Sequence, residues 1–348
     1  MDFTTFPEFD DHEQVMPITD ASLGLRGFIA IHRTTLGPAT GGTRYFSYAS
    51  EEEAARDALG LSRTMTYKCA LAGVPYGGGK GVLMADPQWP KTVAMMRAYA
   101  RKVNELGGRF TTGEDVGITE EDLRAMQEES PFINGRPDRG GELGPWAARG
   151  VFEAIKAALE VVFGDSRMAS RSFAIRGLGK VGGRLCRLIV GAGGTVYVAD
   201  IDPEAVRRVV GQFPQVRVVG PGEIHRQTVD VYCPCAMGGE FGEQRISELR
   251  CRAICGAANN QLVSAEDGRR LHARGILYVP DYVANAGGLI NIVAEMDPAG
   301  YRREWVLEKV NAIRGTARQV LDIAAHRNEP ANEVADRLAE AVFSEKGV

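Results

Sequence analysis

Apolar positions recur along this chain in two rhythms, and the change between them falls just before its middle. In the first part, strands and helical stripes are mixed. RGFIAIHR (26–33) reads as a strand with an apolar core, and LGPATGGTR (36–44) after it as a Gly-rich turn. In SEEEAARDALGLSRTMTYK (50–68), Ser50 predicts an N-cap with Glu53 three residues on. Ala54, Ala58, Leu61 and Met65 then repeat at helical spacing, so Lys68 falls near the end of a helix with a buried apolar stripe. KTVAMMRAYARKVNELGG (91–108) predicts a second amphipathic helix, closed by Gly107 and Gly108. RFTTGEDVG (109–117) predicts a short strand running into a polar turn, and Thr119 with Asp122 caps the next helix. RPDRGGELGP (136–145), rich in Gly, Pro and charge, predicts an interdomain hinge.

Beyond the hinge, strands alternate with helices. Apolar strands are predicted at FAI (173–175), TVYVAD (195–200), VRVV (216–219), VDVYCP (229–234), RAICG (252–256) and ILYVP (276–280), as a doubly wound parallel sheet requires. Two terminal helices, near 302–325 and 330–345, show apolar periodicity and carry no recognisable chemistry; packing and assembly are their expected roles. The expected fold is α/β with two domains, a substrate-binding one and a Rossmann-type dinucleotide-binding one.

Composition narrows the classes without changing that picture. The chain has 348 residues, enough for two domains, with 44% hydrophobic and 25% charged residues. A net charge of −4 points to neither nucleic acid nor an anionic membrane as a partner. The acidic start, MDFTTFPEFDDHEQV, lacks the apolar region of a signal peptide, and no apolar run approaches the ~20 residues of a membrane span. Six cysteines include the close pairs Cys233–Cys235 and Cys251–Cys255, but neither has C-x2-C spacing and both sit in apolar surroundings. Buried reduced thiols, no metal and a cytoplasmic location are expected.

The sharpest motif is Gly177-Leu178-Gly179-Lys180-Val181-Gly182, a GxGxxG turn between a predicted strand and helix, with Asp200 following 23 residues after the first glycine. The glycines admit a pyrophosphate to the helix N-terminus, where free N–H groups favour an anion. Asp200 is placed to accept from ribose hydroxyls and to repel a 2′-phosphate, which favours NAD over NADP. GAANNQL (256–262) and PDYVANAGGLIN (280–291) follow strand ends, where such sheets bind ligands.

Chemistry in the first part centres on MTYKCALAGVPYGGGKGV (65–82). Three glycines, Gly77 to Gly79, precede Lys80, which suggests that something approaches the main chain closely. It is not a phosphate-binding Walker loop, because Val74 and Gly81 stand where that motif needs Gly and Ser or Thr. Lys68 and Lys80 in one closed site would disfavour each other's charge, and desolvation acts the same way, so one is expected to serve as a base. Asp115 either carries protons or caps a turn.

TLGPATGGTR, MTYK, GGGK, TGEDVG, GLGKVG, CPCAMGG, ANNQL and DYVANAGGLIN occur in the order found in the leucine/phenylalanine/valine branch of the amino-acid dehydrogenases, which the chain resembles over nearly its whole length. The resemblance implies a substrate-binding and oligomerising domain (1–140), a Rossmann domain (145–322) and a C-terminal helix (323–348) returning to the first domain. It implies NAD-dependent reversible oxidative deamination, with small-molecule partners (amino acid, 2-oxo acid and ammonia) and a homo-oligomer. Lys80 matches the catalytic lysine and Asp115 the proton-carrying carboxylate. Lys68 matches the lysine that binds the α-carboxylate, assisted by Asn259. Gly41, Gly42, Met65, Gly113 and Leu289 complete the substrate set, with Thr40 and Ala284 nearby. The cofactor set adds Leu178, Lys180, Val181, Ile201, Cys235, Ala236, Ala258 and Asn260 to the three glycines and Asp200.

Relatives carry a hydroxyl near the nicotinamide amide where this chain has Ala147, in GPWAARGV (144–151). Gly113 and Leu289 are the pair found in aromatic-preferring relatives, so a phenylalanine- or tryptophan-like substrate is expected; a leucine- or valine-preferring enzyme is the alternative. A glutamate enzyme would need a cation in the side-chain pocket. An amine dehydrogenase would have lost Lys68 or Asn259. A regulatory NAD-binding homologue without turnover would have lost Lys80 or Asp115.

Overall fold

The computed structural model describes residues 1–135 and 140–345, so part of the expected hinge, residues 136–139, lies outside it. The chain forms two compact units. The first takes Met1–Gly141, Glu295–Tyr301 and the C-terminal stretch from Ala339; the second takes Glu142–Ala294 and Arg302–Leu338.

The first unit is built on a five-stranded mixed sheet in the order β1-β2-β4-β3-β5. Its strands are β1 (Gln14–Asp20), β2 (Leu25–Arg33), β3 (Ala39–Phe46), β4 (Gly77–Met84) and β5 (Phe110–Glu114), with helices α1 (Glu51–Ala72), α2 (Val93–Glu105) and α3 (Glu120–Gln127). The helix starts follow their predicted caps. Ser50 accepts from the Glu53 N–H, and Thr119 and Asp122 form a reciprocal capping box. The expected turn at 36–44 is in fact mostly strand, for β3 begins at Ala39 and pairs in parallel with both β4 and β5. Glycine is a poor strand former, but here side chains would have no room. A Cβ at Gly41 would collide with the Gly79 carbonyl, and one at Gly42 would meet Asp115.

Alternation along the strands sorts this sheet into two faces. Ile29, Ile31, Leu83 and Phe110 pack with Met95, Met96 and Tyr99 of α2. Phe28, Ala30, Val82 and Met84 pack with Ala54, Ala55 and Ala58 of α1. Lys80 has the parity of Val82 and Met84 and so belongs to the α1 face.

The second unit opens with α4 (Leu143–Phe163). It continues through β6 (Ser172–Arg176), α5 (Gly182–Gly191), β7 (Thr195–Ala199), α6 (Pro203–Gln212), β8 (Arg217–Val218), β9 (Val229–Pro234), α7 (Glu243–Glu248), β10 (Cys251–Ile254), α8 (Ala265–Ala273) and β11 (Leu277–Tyr278). Its six strands are parallel, in the order β11-β10-β9-β6-β7-β8. This is the doubly wound Rossmann arrangement, with its switch point between β6 and β9. Helices α9 (Asp281–Ala284), α10 (Gly287–Glu295), α11 (Arg303–Arg327) and α12 (Ala331–Glu345) complete the chain. The division expected at 323 falls inside α11, which continues without a break to Arg327; the return to the first unit begins at Ala339, where Glu340 accepts from the Tyr67 hydroxyl at 2.8 Å.

Candidate active site

On the α1 face of the first sheet, Lys80 Nζ donates to Asp115 Oδ2 at 2.5 Å. The two residues are 35 apart in sequence. β4 supplies the lysine, and the polar turn after β5 supplies the carboxylate. Lys80 is only 6% exposed. A second cation, Arg44 of β3, donates from Nε to the same Asp115 oxygen at 3.3 Å. Burial on its own would raise the Asp115 carboxyl. The charges of Lys80 and Arg44, with hydrogen bonds from Lys80 and the Val116 N–H, outweigh it and hold the group well below the usual carboxylate range. The partner of Lys80 at hydrogen-bond distance is thus a carboxylate.

Lys68 is buried near the C-terminal end of α1, one turn after Met65 and on the same side of the helix. Met65 faces the sheet, since its Cγ lies 3.4 Å from where a Gly41 Cβ would stand. A Cβ on Gly113 would meet the Asn134 carbonyl at 3.3 Å and the Asn134 Cβ at 3.6 Å. Asn134 is itself buried, and its Nδ2 has no hydrogen-bond partner. It lines a cavity of about 760 Å³ in the first unit, with Pro38, Tyr76, Thr111, Phe132 and Ile133. Residues named from sequence are absent from that cavity's wall. Both Arg44 and Asn134 escape the sequence reading. Arg44 would have been found by alternation from Thr40 through Gly42, had that segment been read as a strand.

In the second unit the three motif glycines have three different surroundings. Gly177 adopts φ +95°, and a Cβ there would press on Cys235 and Ala236 at 2.8 Å. Gly182 lies against the Gly177 carbonyl at the start of α5, where a side chain would collide. Gly179 is exposed, with nothing within 4 Å of its missing Cβ. These are the turn, packing and open-approach roles that a dinucleotide loop needs. No side chain caps the N-terminus of α5 and no acid occupies its first turn, so its donors suit a pyrophosphate. Leu178 is buried, Val181 is the N-cap residue, and Lys180 is exposed beside Gly179.

Asp200 follows β7. Its Oδ2 accepts from the Leu178 N–H at 2.5 Å and its Oδ1 from the Asp202 N–H at 2.8 Å. Each oxygen retains a second lone pair, so the carboxylate ties the loop in place and can still accept from a ribose. Ile201 beside it is 88% exposed, although large and apolar. Cys235 and Ala236 follow β9 across the switch point from Gly177.

Past β10, Asn285 donates from Nδ2 to Asn259 Oδ1 at 2.7 Å. That contact ties the Asn259 side chain to α9's C-cap residue. Asn260 has φ +51° and donates its N–H to Asp281 at 2.7 Å. Ala258 is buried, with its N–H on the Pro234 carbonyl. Leu289 and Ala284 are buried, and Thr40 is hydrogen-bonded to Thr111 in the first unit. Ala147, on α4, is 3.9 Å from where a Gly288 Cβ would stand. Burial pushes the Cys69, Cys186 and Cys251 thiols up to about 12. Among the described residues no group of three or more His, Cys, Asp or Glu is arranged to hold a metal, and no helix is long and apolar enough to cross a membrane.

Comparison with known proteins agrees with this geometry. Residues 12–131 match the family described as Glu/Leu/Phe/Val dehydrogenase, dimerisation domain, and residues 198–335 match Glutamate/Leucine/Phenylalanine/Valine dehydrogenase. The chain is 42% identical over 343 residues to leucine dehydrogenase of Bacillus subtilis (strain 168), covering 98% of this chain and 93% of the relative. It is 41% identical over 347 residues to phenylalanine dehydrogenase of Caldalkalibacillus thermarum (strain TA2.A1), with the same coverage. The crystal structure of L-tryptophan dehydrogenase from Nostoc punctiforme superposes with a TM-score of 0.82 at 41% identity, covering 97% of each chain. The chain belongs to the Glu/Leu/Phe/Val dehydrogenase family and is an amino-acid dehydrogenase of its leucine, phenylalanine and tryptophan branch.

Proposed function

We propose that the chain catalyses the NAD-dependent, reversible oxidative deamination of an L-amino acid with an aromatic or large apolar side chain, giving the 2-oxo acid and ammonia. The observation that carries this reading is the buried 2.5 Å contact between Lys80 and Asp115. We assign binding of the substrate α-carboxylate to Lys68, buried near the end of α1, and an assisting role to Asn259. The loop 177–182 and Asp200 suit a dinucleotide with a free ribose 2′-hydroxyl, because a carboxylate opposes a 2′-phosphate. A nicotinamide dinucleotide held by these residues would supply the acceptor for the substrate Cα hydride.

The resulting iminium needs water and a base. Neutral Lys80 acts as that base, with Asp115 Oδ2 within hydrogen-bond reach of its Nζ. Lys80 takes a proton from the attacking water. Asp115 then takes the hydroxyl proton and passes it to the amino group as the carbinolamine collapses. We assign substrate binding and assembly into a homo-oligomer to the first domain, residues 1–140. Cofactor binding falls to residues 145–322, and a reducing compartment, the cytoplasm, suits the buried thiols.

The aromatic preference rests on Gly113, Leu289 and Asn134. Gly113 leaves out the methyl that a ring would meet, and Leu289 is the residue that aromatic-preferring relatives carry at its position. The buried Asn134 Nδ2 offers a donor to a ring face or ring hydroxyl. Leucine is the competing substrate, since relatives named leucine dehydrogenase are as similar as those named for phenylalanine. A panel of L-amino acids with NAD, followed at 340 nm, separates the two: phenylalanine or tryptophan is expected to exceed leucine and valine in kcat/KM, and a clear leucine or valine preference overturns the assignment.

A further inference from the structure

Arg44 is a charged side chain on the α1 face that this reaction leaves without a role. It is held at both ends. Nε donates to Asp115 Oδ2 at 3.3 Å, the oxygen that also receives Lys80 at 2.5 Å. Nη1 donates to both oxygens of Asp57 on α1, at 3.0 and 3.3 Å, and the Tyr48 hydroxyl donates to Asp57 Oδ2 at 2.6 Å. The Arg44 and Asp57 side chains are 18% and 22% exposed, so water screens the arrangement little. The planar guanidinium is thus clamped between two carboxylates from different elements.

A carboxylate turns easily about its last torsion, which is broad and two-fold. A lysine on a flexible stem defines that torsion only loosely; a planar donor of fixed direction defines it. We propose that Arg44, itself fixed by Asp57 and Tyr48, is a positioning residue for the reaction, holding the Asp115 carboxylate with Oδ2 toward Lys80. This rests on the reading of Asp115 as the proton carrier. The rival is a plain strut joining β3 to α1.

The two differ in pH dependence. The charged and titratable groups around Asp115 are Lys80 from β4 and Arg44 from β3, with Asp57 of α1 and Tyr48 beyond Arg44. Without Arg44, Lys80 with its hydrogen bond and the Val116 N–H are left to oppose the upward effect of burial, so the carboxyl titrates at higher pH. The acid limb of kcat, which needs the ionised group, then moves upward.

The test uses the full-length enzyme with L-phenylalanine and NAD. Arg44→Gln is expected to lower kcat about ten- to a hundred-fold, as a misplaced catalytic group does, with little change in the amino-acid KM and an upward-shifted acid limb. Arg44→Lys restores the limb through its charge but recovers only part of kcat, lacking the fork. Parental kcat and limb in Arg44→Gln, with only a lower melting temperature, overturn the proposal in favour of the strut. If Arg44→Gln does not fold, Arg44→Lys decides: reduced kcat with a parental limb supports the proposal, and parental kcat overturns it. Asp115→Asn separates the levels. Its inactivity, beside a parental Arg44→Gln, sinks the inference alone; parental activity in Asp115→Asn sinks the reading beneath it as well.

Discussion

Two glycine-rich stretches, each holding a lysine, sit in different surroundings in this chain: Gly77–Gly81 around Lys80, and Gly177–Gly182 around Lys180. In the first, every missing side chain is replaced by protein. A Cβ would collide with the Arg33 carbonyl at Gly77, with the α1 backbone at Ser62 and Thr66 at Gly78, and with the Tyr99 hydroxyl at Gly81; at Gly79 it would lie 2.6 Å from the Phe110 ring. The stretch is a fully buried strand pressed between two helices. In the second, Gly177 and Gly182 are equally crowded, but Gly179 faces open space. A run of glycines thus marks close approach without saying what approaches. In β4 the glycines let α1 and α2 close on the sheet, and Lys80 is the one side chain of Gly77–Gly81 reaching the α1 face. In the loop, one glycine of three is left for a ligand.

The comparison breaks most visibly on stability. Gly78→Ala drives a methyl into helix backbone that cannot yield, and is expected to lose about 3 kcal/mol or more. Gly179→Ala, with nothing to strike, should stay within about 0.5 kcal/mol of the parent. Denaturation midpoints decide, and a parental midpoint for Gly78→Ala refutes the packing account of β4.

A smaller effect is expected on the cofactor. Gly179→Ala should weaken NAD binding by about thirtyfold, or ~2 kcal/mol, in a calorimetric titration. An unchanged Kd would mean that Gly179 is open to solvent alone.

Smaller still is the effect at Gly113. Its Cβ would need Asn134 to give by a few tenths of an ångström, so Gly113→Ala should fold and lower the phenylalanine-to-leucine ratio of kcat/KM by about fivefold to tenfold. A ratio that does not move takes Gly113 out of substrate discrimination.

The second unit was largely legible in the sequence because its signals are local. Apolar strands, a GxGxxG turn and an acid at the next strand end lie within one contiguous stretch, and the six parallel strands follow from the alternation. In the first unit the decisive contacts are distant. LGPATGGTR looks like a turn because what excludes side chains from Gly41 and Gly42 is the Gly79 carbonyl and Asp115, far along the chain. That misreading hid Arg44, which becomes visible only when positions 40, 42 and 44 share a strand face. β1 was missed because its seven residues contain one fully buried position, Ile18, and so show little alternation. Lys80 and Asp115 could be named from sequence, but not their 2.5 Å contact, nor the arginine completing it.

The central claim is that the Lys80–Asp115 pair performs the proton chemistry of amino-acid deamination. It is tested most directly by kcat of Lys80→Ala with L-phenylalanine and NAD, with the fold checked by circular dichroism. General acid–base catalysis contributes roughly 10²–10⁴-fold, so kcat should fall by at least about a hundredfold in a folded protein. Turnover equal to the parent would contradict the account.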